Sequence, residues 1–146
     1  MTRLEFPKLT TGHYSLPVVY HVGKEFDPNT SFSVPYCLVD LGSTKCLIPK
    51  TVNENVLKLP ISDTNKDVDT GKGKRDFDVV VLPRMGIASL GLQDGSVIYR
   101  MTELEEFDVE AWLGDDDEEF ILGMNFLGKF RLIFEPTGRL VIERAS

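Results

Sequence analysis

No stretch of this chain approaches the ~18 consecutive apolar residues of a membrane-spanning helix, and long amphipathic helical periodicity is absent. The opening residues, Met1-Thr2-Arg3-Leu4-Glu5-Phe6-Pro7, lack the apolar centre of an export signal, so the expected location is the cytoplasm. Cysteine is scarce. Cys37 and Cys46 fit neither a CxxC motif nor a four-ligand zinc site, and they read as two small buried hydrophobes in a reducing compartment rather than as a disulfide. Histidine is equally scarce: His13 and His21 stand apart, without metal-ligand spacing or a partner nucleophile, and read as surface or packed residues. Basic residues are outnumbered, 16 against 23 acidic ones, and the net charge of −7 argues against a nucleic-acid backbone as partner.

Much of the negative charge is local. Glu103, Glu105, Glu106, Asp108 and Glu110 form one acidic patch, and Asp115-Asp116-Asp117-Glu118-Glu119 forms another. Carboxylates suit calcium or magnesium, but the second patch has neither the spaced ligands nor the glycine of an EF-hand loop, and it reads as a solvated acidic loop. No metal and no cofactor are expected.

What the chain does have is β texture. Short runs of Val, Ile, Leu, Phe and Tyr recur between Gly, Pro, Asn and Asp. Strands are expected over 14–22, interrupted at Pro17, and over 34–40, where an almost wholly apolar run implies burial on both faces. Further strands are expected at 45–49, 77–82, 85–92, 96–101 and 107–113. Residues 23–31 read as a polar loop, 51–59 as one helical turn or a loop, and 62–75 as a polar stretch. Asp94-Gly95 signals a hairpin turn, 123–129 a short helix, and 130–134 with 139–143 a final hairpin through Glu135-Pro136-Thr137-Gly138. With no repeat, linker or boundary, the expectation is one all-β domain over 1–146, its core at about 14–144. Trp112, in an apolar strand, reads as core or interface rather than as a substrate platform.

Two stretches carry chemistry. In Leu38-Val39-Asp40-Leu41-Gly42-Ser43-Thr44 an apolar run ends in one acid, followed at once by a glycine and two hydroxyl residues. A carboxylate ending a buried strand is costly unless something satisfies or uses it. Gly42 permits a tight turn beside it, and Ser43 and Thr44 supply hydrogen bonds. The second stretch is Ile121-Leu122-Gly123-Met124-Asn125-Phe126-Leu127.

In their order and wide separation, these motifs resemble those of the retropepsin-like aspartic proteases. That family carries an apolar-apolar-Asp-Thr/Ser-Gly-Ala/Ser loop and an Ile/Leu-Leu/Ile-Gly-x-Asn/Asp-x-Leu motif opening a short helix. The resemblance implies an all-β acid-protease barrel with a flap hairpin and one short C-terminal helix. It implies a homodimer, in which Asp40 from each of two chains activates a water against a peptide bond, with no metal and no covalent intermediate. Leu41, Gly42, Ser43 and Thr44 would form the active-site loop. Gly123 and Asn125 would support it, Asn125 by capping or bracing the helix through hydrogen bonds. The flap would lie within 67–78, its tip at Gly71-Lys72-Gly73. The implied partner is a peptide or protein substrate, with neither nucleic acid nor membrane.

The chain departs from the family at Leu41, where Thr or Ser is usual and its hydroxyl braces the two loops across the dimer axis. Leucine has no donor or acceptor. Two outcomes stay open: a working protease with a modified brace, or a weak or inactive protease-like module that binds peptide and dimerises. A decoy also exists. Asp69-Thr70-Gly71 matches the usual triplet, but Asn65-Lys66-Asp67-Val68 before it is no buried strand, and Lys72-Gly73-Lys74-Arg75 after it is charged. Asp40 is therefore the expected catalytic acid.

Overall fold

The computed structural model describes residues 3–8, 12–25 and 27–145. Positions 1, 2, 9–11, 26 and 146 lie outside the described residues, and with them part of the N-terminal reading and of the expected loop at 23–31. Among the described residues ten strands and two short α-helices follow one another, with a 3-10 turn at Pro28–Thr30: β1 (Arg3–Pro7), β2 (Ser15–His21), β3 (Ser31–Val39), β4 (Cys46–Pro49), α1 (Lys50–Val52), β5 (Asp63–Thr70), β6 (Gly73–Gln93), β7 (Ser96–Gly114), β8 (Ile121–Leu122), α2 (Met124–Leu127), β9 (Phe130–Phe134) and β10 (Arg139–Arg144). The expected all-β architecture with a short helix near the C-terminus is the observed one. Among the described residues no helix is long and apolar enough to cross a membrane.

The larger sheet runs β2-β3-β8-β4-β7-β6-β5, and an extra β2–β6 pairing closes the first six of these strands on themselves. β3–β8 and β4–β7 are parallel; β4–β8 and the other pairs are antiparallel. Closure removes sheet edges, and β5 alone extends from the ring, as one arm of a hairpin. The smaller sheet, β1-β10-β9, is antiparallel. Its Leu140 and Ile142 join Leu16, Val18, Tyr20, Leu82 and Phe126 in the main core, so the small sheet packs on the barrel. The pairing of β1 with β10 draws residues 3–7 into the fold, ahead of the core expected from residue 14.

Three expectations need correction. The runs at 77–82 and 85–92 are one strand, β6, and those at 96–101 and 107–113 are one strand, β7. Pro83, which has no N–H for a ladder, falls in the gap of the first pair, and Glu103, Glu105 and Glu106 fall in the gap of the second. The ladder keeps one register past Pro83, from Val79–Trp112 to Gly86–Glu105, and shifts only between Gly86 and Ala88. The third correction concerns β3, which is not buried on both faces. Val34 and Cys37 are buried, but Tyr36 is 67% exposed, because the pairing with β2 shifts register opposite Pro17 and swings residues 35 and 36 outward.

Other local signals resolve as their chemistry dictates. Asp94 and Gly95 both take positive φ, as a two-residue hairpin turn requires. At residues 135–138 the Gly138 amide donates to the Glu135 carbonyl. The ambiguous 51–59 stretch is helical at first, with α1 running into a π-helical turn, Asn53–Leu57.

Candidate active site

Asp40 follows directly on β3. Its amide donates to the Leu122 carbonyl at 3.2 Å, and the Leu38 amide donates to Phe120 at 2.8 Å, so the end of β3 is clamped to β8. The chain then turns sharply. The Ser43 amide donates to the Asp40 carbonyl at 3.2 Å, and the Gly42 amide donates to Asp40 Oδ1 at 3.0 Å. The carboxylate thus has one oxygen oriented by its own loop.

The second motif holds this loop from below. The Met124 amide donates to Ser43 O at 2.8 Å and the Asn125 amide to Thr44 O at 3.1 Å. Ser43 Oγ closes the turn by donating to Lys45 O at 2.7 Å. Asn125 Oδ1 accepts from the Cys46 amide at 3.0 Å, and its Nδ2 donates to Glu110 O at 2.7 Å. One amide side chain therefore joins α2, β4 and β7. The Asn125 side chain ties neighbouring strands rather than capping its own helix, whose N-terminal cap position is Gly123. Asn125→Ala strips a partner from two backbone groups at once. The expected loss is about 2–3 kcal/mol of stability, read as a lower urea midpoint at unchanged slope.

Gly123 is required by contact. A Cβ there would lie 2.2 Å from Lys45 O, so its hydrogen atom is what lets β8 and α2 approach β4. Leu41 is 49% exposed and Met124 42% exposed, beside the acid loop on the surface of the single chain.

A cleft of about 920 Å³ opens above Asp40. Gly42, Ser43 and Thr44 share its floor, and Leu47, Phe77, Trp112 and Ile121 form an apolar wall. The β5–β6 hairpin supplies the opposite side through Val68, Asp69, Thr70, Gly71 and Lys72. Its tip is the turn at Gly71 and Lys72, and Gly73 takes φ +105°. Thr70 Oγ1 accepts from the Lys72 amide at 3.2 Å and donates to Gly73 O at 2.6 Å, stiffening the tip. Of the three expected tip residues, Gly71 and Lys72 line the cleft and Gly73 does not. The decoy Asp69 is exposed on this hairpin, in register with Lys74, whereas Asp40 sits in the clamped loop.

Several features escaped the sequence reading. Trp112 is a cleft residue as well as a packed one: it stacks on Phe77 at 5.0 Å and donates from Nε1 to Asn65 Oδ1 at 2.9 Å. The cross-strand pairing of Val79 with Trp112 sets that stack, and no local pattern announces it. The acidic loop after β7 is likewise not merely solvated. Asp115, Asp117 and Glu118 face the cleft, and Glu118 accepts from Arg75 at 2.6 Å and from the Asp115 amide at 2.8 Å. Partial burial pushes the Glu118 carboxyl up, but the Arg75 and backbone hydrogen bonds and nearby positive charge outweigh it, and the group titrates below the usual glutamate range.

Cys37 and Cys46 are buried and unbonded to each other, and burial pushes both thiols up to about 12, which makes them inert packing residues at neutral pH. His13 is exposed and His21 buried, and neither lines the cleft. Among the described residues no cluster of His, Cys, Asp or Glu is arranged to hold a metal ion.

A scan against protein-family models finds no match, and a search of curated proteins finds none either. Among solved structures, a retropepsin-like aspartic protease from Rickettsia conorii superposes with a TM-score of 0.57, covering 97% of this chain and 89% of that one at 16% sequence identity. The likeness is one of fold: the barrel, the flap-like hairpin and the short C-terminal helix belong to an all-β architecture of the retropepsin-like kind.

Proposed function

We propose that this chain is one domain of 146 residues that works as a homodimeric aspartic endopeptidase, in the cytoplasm and without metal or cofactor. The observation that carries the reading is the position of Asp40: on a clamped loop, at the floor of a cleft, opposite the tip of a glycine-containing hairpin. Each chain brings one such acid, so hydrolysis needs two. Aspartic proteases are the established example of two carboxyls holding one proton between them. The unprotonated carboxylate takes a proton from water, while its twin donates to the peptide carbonyl as the water attacks. Gly42, Ser43 and Thr44 shape the floor, and Gly123 and Asn125 keep it in place. The substrate lies extended between floor and hairpin, bonded through its backbone, and Gly71 and Lys72 close over it.

Leu41 favours a second reading. A half-exposed leucine beside the acid offers its twin only apolar contact, without the hydroxyl brace usual at this position. The chain would then hold an extended peptide without cutting it. Incubation of the protein with a diverse peptide library from acidic to neutral pH, beside sedimentation analysis, separates the two. Cut peptides and a dimer are expected. A dimer that retains peptides uncut would establish the binding module, and a monomer that neither binds nor cuts would sink both readings.

A further inference from the structure

The barrel has a second, smaller core. Leu47, Phe77, Val79 and Trp112 form it, with Val68 and Ile121 packed against them, and all but Val79 line the cleft. This apolar cluster belongs to the wall of the site rather than to the barrel interior. Its aromatic centre is nonetheless covered: Phe77 is 3% exposed and Trp112 8%.

Arg75 is part of that cover. Its guanidinium lies 4.4 Å from the centroid of the Phe77 ring, the geometry of a cation held over an aromatic face. The same guanidinium donates to Glu118 at 2.6 Å and lies 3.5 Å from Asp115. These contacts run from the hairpin strand β6 to the loop after β7. Below them Asn65 Oδ1 accepts from both the Trp112 indole and the Lys45 ammonium, so the lower ring is held in orientation as well. Arginine, Phe77 and Trp112 thus form a three-layer stack pinned at both ends.

We propose that Arg75 is a specificity-determining residue of the peptide cleft: laid over Phe77, it roofs the aromatic pair and restricts the adjoining apolar subsite to small aliphatic side chains. The proposal rests on the endopeptidase reading and deepens it. An aromatic substrate side chain seeking the Phe77–Trp112 face must lift the guanidinium off the ring and part it from two carboxylates. A valine or alanine side chain contacts Val68 and Ile121 without disturbing the stack. Glu118 acts through Arg75 and is a positioning residue.

The test compares the intact protein with Arg75→Ala and Glu118→Gln on one synthetic peptide library, with the residues flanking each cut identified by mass spectrometry. In Arg75→Ala the ratio of cuts beside Phe, Tyr or Trp to cuts beside Ala or Val, at a single flanking position, is expected to rise at least ~10-fold, within the range an apolar pocket discriminates. Glu118→Gln keeps the arginine but weakens its tether, and an intermediate ratio is expected. An unchanged ratio in variants that still cut overturns the proposal. A second measurement needs no turnover. Peptide binding is titrated on Asp40→Asn with and without Arg75→Ala, using matched peptides that carry Phe or Val at the same position. The ratio of Phe to Val affinity is expected to rise at least ~10-fold on removal of the arginine, and an unchanged ratio overturns the roof whether or not any peptide is cut. A raised ratio together with no cutting by the intact protein upholds the roof and counts against the endopeptidase reading.

Discussion

Asp40→Asn is expected to lower kcat/KM for peptide cleavage on the order of 1,000-fold or more, because one substitution removes both the general base and the general acid of a symmetric pair. The fold should survive it. Among the described residues the one side-chain hydrogen bond at Asp40 comes from the Gly42 amide to Oδ1, and an asparagine Oδ1 accepts the same bond. The Asp40 backbone contacts to Leu122 and Ser43 are untouched by the change. The thermal midpoint and the sedimentation profile should therefore stay near those of the unmodified chain while cleavage disappears. Persistent cleavage by Asp40→Asn would remove Asp40 from catalysis. Asp69→Asn is the natural companion. Asp69 sits on the hairpin, exposed and opposite Lys74, so its loss should alter peptide affinity and leave the chemical step intact.

Gly123→Ala should produce the largest loss of stability, about 3 kcal/mol or more, since added volume in a close-packed interior forces the backbone to shift. The new methyl would lie 2.2 Å from Lys45 O, 2.3 Å from Lys45 C and 2.9 Å from Cys46 N. All three are backbone atoms, and Cys46 opens β4, which is held by β7 on one side and β8 on the other. The neighbour therefore cannot yield by rotating a side chain. Conformational strain plays no part, since Gly123 has φ −96° and ψ 178°, values any residue adopts. Urea unfolding read by Trp112 fluorescence measures the loss. Gly42→Ala makes a useful contrast: its methyl would meet only Asp40 Oδ1, at 3.3 Å, so it should disturb the acid more than the fold. Equal midpoints for Gly123→Ala and the unmodified chain would refute the contact argument.

Features set within a few residues are legible in the sequence. Local chemistry marks the Asp94-Gly95 turn, because two successive positive φ angles demand such residues. It marks the Glu135–Gly138 turn and the short helix after Gly123 for similar reasons. It also separates Asp40 from Asp69, since a run of apolar residues leads into the one and a polar run into the other. Pro83 has no N–H for a ladder, yet β6 runs through it. The pairs Leu82–Val109 and Arg84–Phe107 on either side of it keep one register, so the missing N–H costs a hydrogen bond without ending the strand. Tyr36 is a related case: its apolar surroundings imply burial, and the register shift opposite Pro17 exposes it.

Sequence alone therefore determined the β class of the chain and its tight turns, because each depends on interactions within a few residues. Tertiary structure decided the rest. Asn125 bonding to Cys46 and Glu110, Arg75 lying over Phe77 with Glu118 as its anchor, and Trp112 turned toward the cleft are contacts between distant segments. They exist only once the barrel has closed, since strand order and register, not neighbouring sequence, set which side chains meet across it.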